Sequence, residues 1–428
     1  IRVSGKDALK ITSKILTAKI EEPRKIQFTK VIDSDGSVLD EALVVYYRAP
    51  HSYTGEDVVE VFCHGSQYIQ RRILELLYEN GAVPAQPGEF TLRAFLNGKI
   101  DLTKAEAISQ LINSSSKKQH QLAMSMYSGS VFNKIKKLRE ELINALSFLE
   151  VEIDFSDQDV EFISRNHLKN FLFELTAEIK NLIKSFECGN AIKNGVPVVI
   201  AGAPNAGKSS LLNAILGEER AIVTPIPGTT RDTIQELFNW KGILFRVIDT
   251  AGIRITEDPV EKIGVERALN AISRALIIIC IYDVTTTSID DFNKIFSIVK
   301  EHSSPDSIII TAANKIDCGG SPLFKEHIPI SAKNGVNTEL LLETIYREFT
   351  TRFEGVSDVV ISEVRHRDAL SNALISIEKA IQDIDRGASP EIIALSLRET
   401  THHLGSITGE ITSEDVLDNI FKNFCIGK

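Results

Sequence analysis

Residues 196–216 read VPVVIAGAPNAGKSSLLNAIL. The apolar run VPVVIA is followed by a glycine-containing loop and then by SLLNAIL, in which apolar residues recur at helical spacing. In this strand, loop and helix context, the G-x-x-x-x-G-K-S pattern from Gly202 to Ser209 is typical of a phosphate-binding P-loop. Taken alone, the motif could also be a glycine-rich turn that carries a lysine and has no role in binding. The stretch predicts a nucleotide-binding α/β domain.

The P-loop and two following segments supply groups suited to phosphate and Mg²⁺. Lys208 is expected to reach the β- and γ-phosphates, and the Ser209 hydroxyl is expected to ligate Mg²⁺. Asp249 ends the apolar run LFRVID, where its carboxylate can hold the Mg²⁺ shell, and Gly252 can offer its N–H to the γ-phosphate. The Thr229-Thr230 pair in PGTTRD can cap Mg²⁺ with a hydroxyl when a triphosphate is bound.

Two later loops predict that the base is guanine. The sequence Asn314-Lys315-Ile316-Asp317 follows the apolar run SIIITAA, and Ser331-Ala332-Lys333 follows HIPI. A carboxylate at Asp317 can accept both N1–H and the 2-amino group of guanine, whereas adenine offers neither donor. Sites built this way reject the analogue that lacks the donors by roughly 10⁴–10⁵. Each loop alone reads as an ordinary surface loop, but the ordered set predicts a GTPase.

Three positions bear on how hydrolysis is catalysed. Ile253 follows Gly252, where a glutamine commonly orients the attacking water, so another group must take that role. Glu261 in ITEDPVEKIGVERA is the candidate, against the alternative of a solvated charge before a helix. The amide oxygen of Asn205, beside the phosphate cradle, can ligate a monovalent cation, against the alternative of an ordinary turn residue.

Hydrophobic periodicity divides the chain into three predicted domains. Residues 1–98 mix short strands and turns, as in an α+β domain. Residues 99–192 and 353–428 carry long helical stripes, and residues 193–352 alternate apolar strands with helices, which is typical of a mostly parallel sheet. The predicted fold is therefore multidomain, with an α+β N-terminal domain, a discontinuous α-helical bundle and an inserted α/β P-loop GTPase domain.

Composition bounds the possible functions. The 428 residues carry a net charge of −10, which argues against a surface that coats nucleic acid throughout. Five scattered cysteines form no C-x-x-C pair, which argues against a disulfide framework or a zinc site and fits a reducing cytoplasm. No apolar run is long enough for a membrane span. The start at Ile1, within a strand-like IRVSG, leads us to expect that some upstream sequence is missing.

Several motifs together resemble one family. NAGKSSLLN at 205–213, PGTTRD at 227–232 and DTAGIR at 249–254 are similar to Era-like bacterial GTPases in general. TGEDVVE at 54–60, the stretch PGEFTLRAFLNGKIDLTKAEA and the terminal FCIGK resemble the MnmE (TrmE) family of tRNA-modifying GTPases, over essentially the whole chain. The FCIGK tail directly follows an amphipathic helix, and the apolar pair that flanks its cysteine favours a packed or inserted tail over a frayed one.

The resemblance implies a reaction and its participants. Members of the family act as homodimers with a flavoprotein partner, MnmG, to install an aminomethyl-type group on the five-position of the wobble uridine of tRNA. A tetrahydrofolate derivative, in a formyl or methylene form, supplies the one-carbon unit and binds to the N-terminal domain, which also dimerises. GTP, Mg²⁺ and K⁺ are the other implied cofactors, and the implied location is the cytoplasm.

The resemblance also implies site residues. Folate contacts fall on Arg2, Glu60, Lys99 and Lys428, and the tail cysteine of the modification chemistry falls on Cys425. Glu261 and Asn205 are implied in catalysis of GTP hydrolysis. Implied Mg²⁺ ligands are Ser209 and Thr230, and implied K⁺ ligands are Asn205, Thr224, Ile226 and Thr229. The full predicted GTP-binding set is Asn205, Ala206, Gly207, Lys208, Ser209, Ser210, Thr224, Pro225, Ile226, Pro227, Gly228, Thr229, Thr230, Asp249, Thr250, Ala251, Gly252, Asn314, Lys315, Asp317, Ser331, Ala332 and Lys333.

Two other functions fit parts of the sequence. One is a GTPase switch in ribosome assembly, which would need an RNA-binding appendage such as a KH domain with its GXXG loop. No such loop is recognised after residue 352. The other is a stand-alone one-carbon transferase that the GTPase domain only regulates, which a transfer assay with and without GTP hydrolysis would distinguish.

Overall fold

A computed structural model describes most of the chain, namely residues 1–20, 22–154, 164–220, 235–248, 259–352, 359–422, Phe424 and Gly427, with the side chains of 218–220, 235 and 259–265 left outside the description. The chain divides into two compact units. The first comprises residues 1–112, 125–169 and 375–428, and the second comprises residues 113–124 and 170–374. The three predicted domain boundaries remain a prediction.

The N-terminal part of the first unit is a four-stranded antiparallel sheet with two helices. The strands lie in the order β1-β4-β3-β2. Their bounds are β1 Arg2–Ser4, β2 Gln27–Ile32, β3 Val38–Tyr47 and β4 Val58–Phe62, and the helices are α1 Ala8–Ser13 and α2 Gln67–Glu79. Buried side chains of alternating positions, including Val44, Val59 and Val61, form a core with Ile73 and Leu77 of α2. The α+β prediction for this region is confirmed.

Long helices follow. Their bounds are α3 Glu89–Leu96, α4 Leu102–Asn113, α5 Lys117–Tyr127, α6 Ser130–Asp154, α7 Arg165–Asn194, α12 Val364–Asp385, α13 Pro390–Thr408 and α14 Glu414–Phe421. The predicted stripe of α6 is buried from Val131 to Leu149. In the first unit α6 packs along α13, although the two are far apart in sequence. The bundle is therefore discontinuous, as predicted, although the sequence did not single out α13 itself.

The second unit contains a six-stranded sheet in the order β10-β9-β8-β5-β7-β6. Its strands are β5 Val196–Gly202, β6 Gln235–Trp240, β7 Ile243–Ile248, β8 Ile277–Asp283, β9 Ile308–Asn314 and β10 Ile328–Pro329, and its helices are α8 Lys208–Arg220, α9 Pro259–Arg274, α10 Ile289–His302 and α11 Thr338–Arg352. All neighbouring strands are parallel except β6, which pairs antiparallel with β7 at the edge.

Alternate residues of the central strands face opposite sides of this sheet. Val198 and Ile200 of β5 pack with α8 and α11, whereas Val199 and Ala201 pack with α9 and α10. Burial on both faces is what a parallel sheet covered by crossover helices requires. It also explains why these strands appear in the sequence as continuous apolar runs. Because parallel strands point the same way, the loops after β5, β8, β9 and β10 leave the same edge.

Candidate functional site

The P-loop leaves that edge between β5 and α8. Gly207 has φ +98, and a Cβ there would lie 2.1 Å from Asn314 Nδ2, so glycine is required for the loop to approach β9 this closely. Asn205 also adopts a left-handed conformation, with φ 63, and its side chain is exposed. Lys208 Nζ reaches back across the loop to the carbonyl oxygens of Gly202 (3.2 Å) and Ala203 (2.9 Å). Ser209 and Ser210 follow, exposed, in the first turn of α8.

Asn314 joins the P-loop to the Ser331-Ala332-Lys333 loop. It is the last residue of β9 and is 2% exposed. Its Nδ2 donates to the Ala206 carbonyl oxygen at 2.8 Å, and its Oδ1 accepts from the Ala332 backbone N–H at 2.9 Å. One buried amide therefore fixes the distance between the loop expected to hold phosphate and a loop expected to hold the base.

Asp317 and Lys315 lie in the short turn that follows Asn314. Asp317 is exposed, and a hydrogen bond from the buried Ser331 is the main reason that the pKa of its carboxyl lies below the usual value. Asp317 is therefore ionised at neutral pH and open to a ligand with two donors. Lys333 is exposed in the neighbouring loop and lowers the same pKa by its charge.

Asp283 belongs to this edge although sequence reasoning did not single it out. It ends β8, is 6% exposed, and its Oδ2 lies 2.6 Å from Lys315 Nζ. Burial alone would raise its pKa, but hydrogen bonds from Lys315 and Thr285 hold the pKa below the usual value. Lys315 itself has φ 69, so its side chain is oriented by a strained turn together with this ion pair. The sequence signal for Asp283 is its place as the polar last residue of a buried apolar strand, at the edge that carries the P-loop.

The structure thus brings together the described nucleotide-site residues Asn205 to Ser210, Asn314, Lys315, Asp317 and Ser331 to Lys333. Other predicted residues lie outside the described part of the chain: Thr224 to Thr230, Asp249 to Gly252, Ile253, Cys425 and Lys428. Glu261 lies within α9, but its side chain is outside the description. Among the described residues, no group of three or more His, Cys, Asp or Glu side chains could hold a metal ion.

A second candidate site is a cavity of about 880 Å³ in the first unit. Arg2 and Glu60 line it from adjacent antiparallel strands, where they are directly opposite partners. Arg2 Nε donates to Glu60 Oε1 at 2.7 Å. The Arg2 guanidinium also lies 5.3 Å from the Tyr53 ring centre and 5.5 Å from that of Phe90, which holds it in place by cation–π contact.

The chain terminus reaches the same cavity. Gly427 is among its lining residues, and its carbonyl oxygen accepts from Arg2 Nη1 at 3.4 Å. Phe424 is 7% exposed, as expected for a packed tail. Lys99 is placed differently, because its Nζ donates to the Pro50 carbonyl oxygen at 2.9 Å and it is not among the described residues that line the cavity.

Arg93 is a cavity residue that sequence reasoning missed. Its guanidinium bridges Glu56 and Glu89, with Nη1 to Glu56 Oε2 at 3.0 Å, and both Arg93 and Glu89 line the cavity. Glu56 belongs to the TGEDVVE motif, and Glu89 and Arg93 to the PGEFTLRAF motif. The sequence shows that the two motifs carry opposite charges, but Glu56 and Arg93 are too far apart in the chain for a local pattern to predict their contact.

A buried asparagine fixes the P-loop to the Ser331-Ala332-Lys333 loop, and the turn that follows the same asparagine carries an ionised, exposed aspartate. This arrangement defines a GTP-binding protein of the P-loop GTPase class. Residues 1–99 match the family described as the GTP-binding protein TrmE N-terminus, and residues 102–425 match the MnmE helical domain. The chain therefore belongs to the MnmE family of tRNA modification GTPases.

Relatives match over the whole chain. It is 41% identical over 459 residues to the tRNA modification GTPase MnmE of Christiangramia forsetii, covering 100% of this chain and 96% of that protein. The same identity holds over 445 residues with MnmE of Parabacteroides distasonis, again covering 100% and 96%. Among solved structures, Aquifex aeolicus Era bound to GDP·AlF4⁻ is 27% identical over 42% of this chain and 66% of its own, with a TM-score of 0.30. Among the described residues, no helix is both long and apolar enough to cross a membrane.

Proposed function

We propose that this protein hydrolyses GTP and, with the flavoprotein MnmG, drives aminomethyl-type modification at the five-position of the wobble uridine of tRNA, as a cytoplasmic homodimer. The observation that carries the GTPase part is the placement of Asn314, which holds the P-loop and the base loop together beside ionised Asp317. The tRNA part is supported by membership of the MnmE family along the whole chain.

The described residues suggest how GTP is held. The Lys208 ammonium is bound by two loop carbonyl groups, and an incoming phosphate, being fully charged, competes favourably with those neutral acceptors. Backbone N–H groups around Gly207 and the start of α8 favour the same anion. The Asp317 carboxylate then selects guanine, because only guanine supplies two donors to it.

Two cations are proposed to assist. Ser209, an exposed hydroxyl directly after Lys208, suits Mg²⁺, which prefers oxygen ligands and supplies charge neutralisation between the β- and γ-phosphates when bound. Asn205 presents an exposed amide from a left-handed turn beside the P-loop, which suits a monovalent cation such as K⁺. Thr230 as a further Mg²⁺ ligand, Thr224, Ile226 and Thr229 as further K⁺ ligands, and Glu261 as the group that orients water remain predictions.

The cavity is proposed to bind a tetrahydrofolate derivative. Its volume of about 880 Å³ lies within the ordinary range for small-molecule sites. The Glu60 carboxylate suits the amino and N–H donors of a pterin ring, and Arg2, whose Nε lies 2.7 Å from Glu60 Oε1, orients that carboxylate at the same end of the ligand. Lys99 and Lys428 remain proposed contacts. Cys425, two residues before cavity-lining Gly427, is proposed to act in the modification, so its loss should abolish tRNA modification and leave GTP hydrolysis intact.

Nucleotide selection tests the GTPase proposal. Calorimetric titration of the purified chain should show tight binding of GTP and a preference over ATP that approaches roughly 10⁴, the discrimination reached by such hydrogen-bonded sites. Asp317→Asn should relax this preference toward xanthosine nucleotides, whose base presents an oxygen where guanine has an amino group. Comparable affinities of the wild type for ATP and GTP would contradict the assignment.

The ribosome-assembly alternative finds no support in the described segment that follows the GTPase domain. Residues 359–422 contain α12, α13 and α14 and no strand, whereas a KH domain needs a sheet. The regulated-transferase alternative remains, and the transfer assay with and without GTP hydrolysis distinguishes it.

A further inference from the structure

Gly88 lies between the cavity and the C-terminal segment, which is defined here as α14 together with Phe424 and Gly427. It precedes α3 as its N-cap, with φ +70 in the left-handed region. The residues that follow it, Glu89 and Phe90, line the cavity. On its other side lie Phe421, the last residue of α14, and Phe424.

The fit between Gly88 and this segment leaves no room for a side chain. A Cβ at position 88 would lie 2.7 Å from the Phe421 carbonyl oxygen, 3.0 Å from Phe421 Cβ and 3.1 Å from Phe424 Cβ. The first of these atoms is backbone, so a rotamer change cannot relieve the contact. Any side chain at position 88 must therefore displace the end of α14 or the start of α3.

The C-terminal segment is seated on α3 and α4 by apolar contact. Phe421 and Phe424 are 3% and 7% exposed, their ring centres lie 5.3 Å apart, and they share a cluster with Leu102 and Ala105 of α4. Three residues beyond Phe424, Gly427 forms part of the cavity wall. The contact of Gly88 with Phe421 and Phe424 therefore helps to determine where Gly427 lies relative to Arg2.

We propose that Gly88 is a positioning residue, which accepts the end of α14 and Phe424 and thereby holds Gly427 at the cavity. The proposal rests on the proposed function in one respect, namely that the modification chemistry takes place at this cavity. The positioning role itself can be measured without any substrate.

The test compares Gly88→Ala with Gly36→Ala in the full chain. Gly36 has φ +85, similar to that of Gly88, but a Cβ there would meet nothing within 4 Å. Both variants therefore carry the cost of a left-handed alanine, and only Gly88→Ala adds the collision. The quantity measured is the rate at which trypsin cleaves the native protein after exposed Lys422, with mass spectrometry as the detection method. Cleavage of this kind tracks the population of the opened form.

We expect Gly88→Ala to raise the Lys422 cleavage rate by about tenfold or more, and Gly36→Ala to leave it within about twofold of wild type. Gly88→Asn, which tolerates the left-handed conformation better, should behave like Gly88→Ala because it has the same Cβ. Phe424→Ala removes the apolar contacts of this ring without adding backbone strain at position 88, and it should also accelerate cleavage after Lys422.

The contact at Gly88 should affect the rate of tRNA modification and leave GTP hydrolysis unchanged. Gly88→Ala should lower the rate of tRNA modification while the turnover number and KM for GTP stay at wild-type values. Equal cleavage rates for Gly88→Ala, Phe424→Ala and wild type would overturn the proposal. So would equal acceleration by Gly36→Ala, or full rescue by Gly88→Asn, because strain alone would then account for the effect. Accelerated cleavage with no modification activity even in the wild type would leave the positioning role standing and contradict the proposed function instead.

Discussion

Replacing Asn314 by alanine should separate the phosphate loop from the base loop and weaken GTP binding. The side chain makes two buried hydrogen bonds, to the Ala206 carbonyl oxygen at 2.8 Å and from the Ala332 N–H at 2.9 Å. Removing it leaves both backbone groups without that partner, and a buried group left unpaired costs roughly 1–3 kcal/mol. Part of this cost is recovered if water enters the site. Because GTP binding must then restore the loop arrangement that these two bonds maintain, we expect up to about 3 kcal/mol of this cost to appear in binding, which corresponds to about 100-fold in Kd.

The assay is calorimetric titration of GTP and GDP, with a thermal unfolding curve for each variant. Asn334→Ala is the matched control, because Asn334 lies exposed in the same loop as Ala332. It should bind GTP as the wild type does. Asn314→Asp keeps the acceptor for Ala332 but sets a carboxylate against the Ala206 carbonyl, so it should bind no better than Asn314→Ala. A loss of GTP affinity below threefold for folded Asn314→Ala would contradict this role of Asn314.

Four further results are expected. KCl should stimulate GTP hydrolysis more than NaCl at equal ionic strength, and Asn205→Lys should remove the difference by placing a fixed ammonium beside the phosphates; equal rates in the two salts would contradict this role. Glu261→Ala should lower the turnover number with little change in GTP affinity, the pattern of an interaction made mainly in the transition state, whereas full turnover would exclude it. Glu60→Gln should weaken binding of formyl-tetrahydrofolate about tenfold, as for a lost charge-assisted bond, while Glu41→Gln on the neighbouring strand should not, and unchanged affinity in both would point to another ligand site. Asp283→Asn should weaken GTP binding about tenfold at an unchanged turnover number, because Lys315 loses its partner; an effect on turnover alone would be inconsistent with that ion pair.

The nucleotide domain was readable from the sequence because its signals are local. Each apolar run that becomes a buried parallel strand ends in, or is followed by, polar residues that the shared sheet edge brings together, as Asn314 ends β9. The edge strand β6 was missed because QELFNW is neither a continuous apolar run nor a strict alternation. Helix α13, the partner of α6, was missed because its pattern is mixed. Its buried face includes Ser396, Thr400 and Gly405, whereas Ile392 and Leu395 are exposed.

Only part of the cavity in the first unit could be predicted from the sequence. Arg2 and Glu60 were expected on grounds of resemblance, and the structure sets them opposite each other on β1 and β4. The contact between Arg2 and Gly427 spans almost the whole chain, so no local pattern encodes it. The role of Gly88 depends on where α14 lies, which a turn glycine in PGEF does not reveal.

Nucleoside analysis of tRNA from cells that lack this protein tests whether the chain uses GTP to modify tRNA. We predict loss of the aminomethyl-type group at the five-position of the wobble uridine. We also predict restoration by the wild-type gene and no restoration by Asp317→Asn, whose nucleotide selectivity is changed. Unaltered wobble uridines in the deletion strain, or full restoration by Asp317→Asn, would contradict this use of GTP.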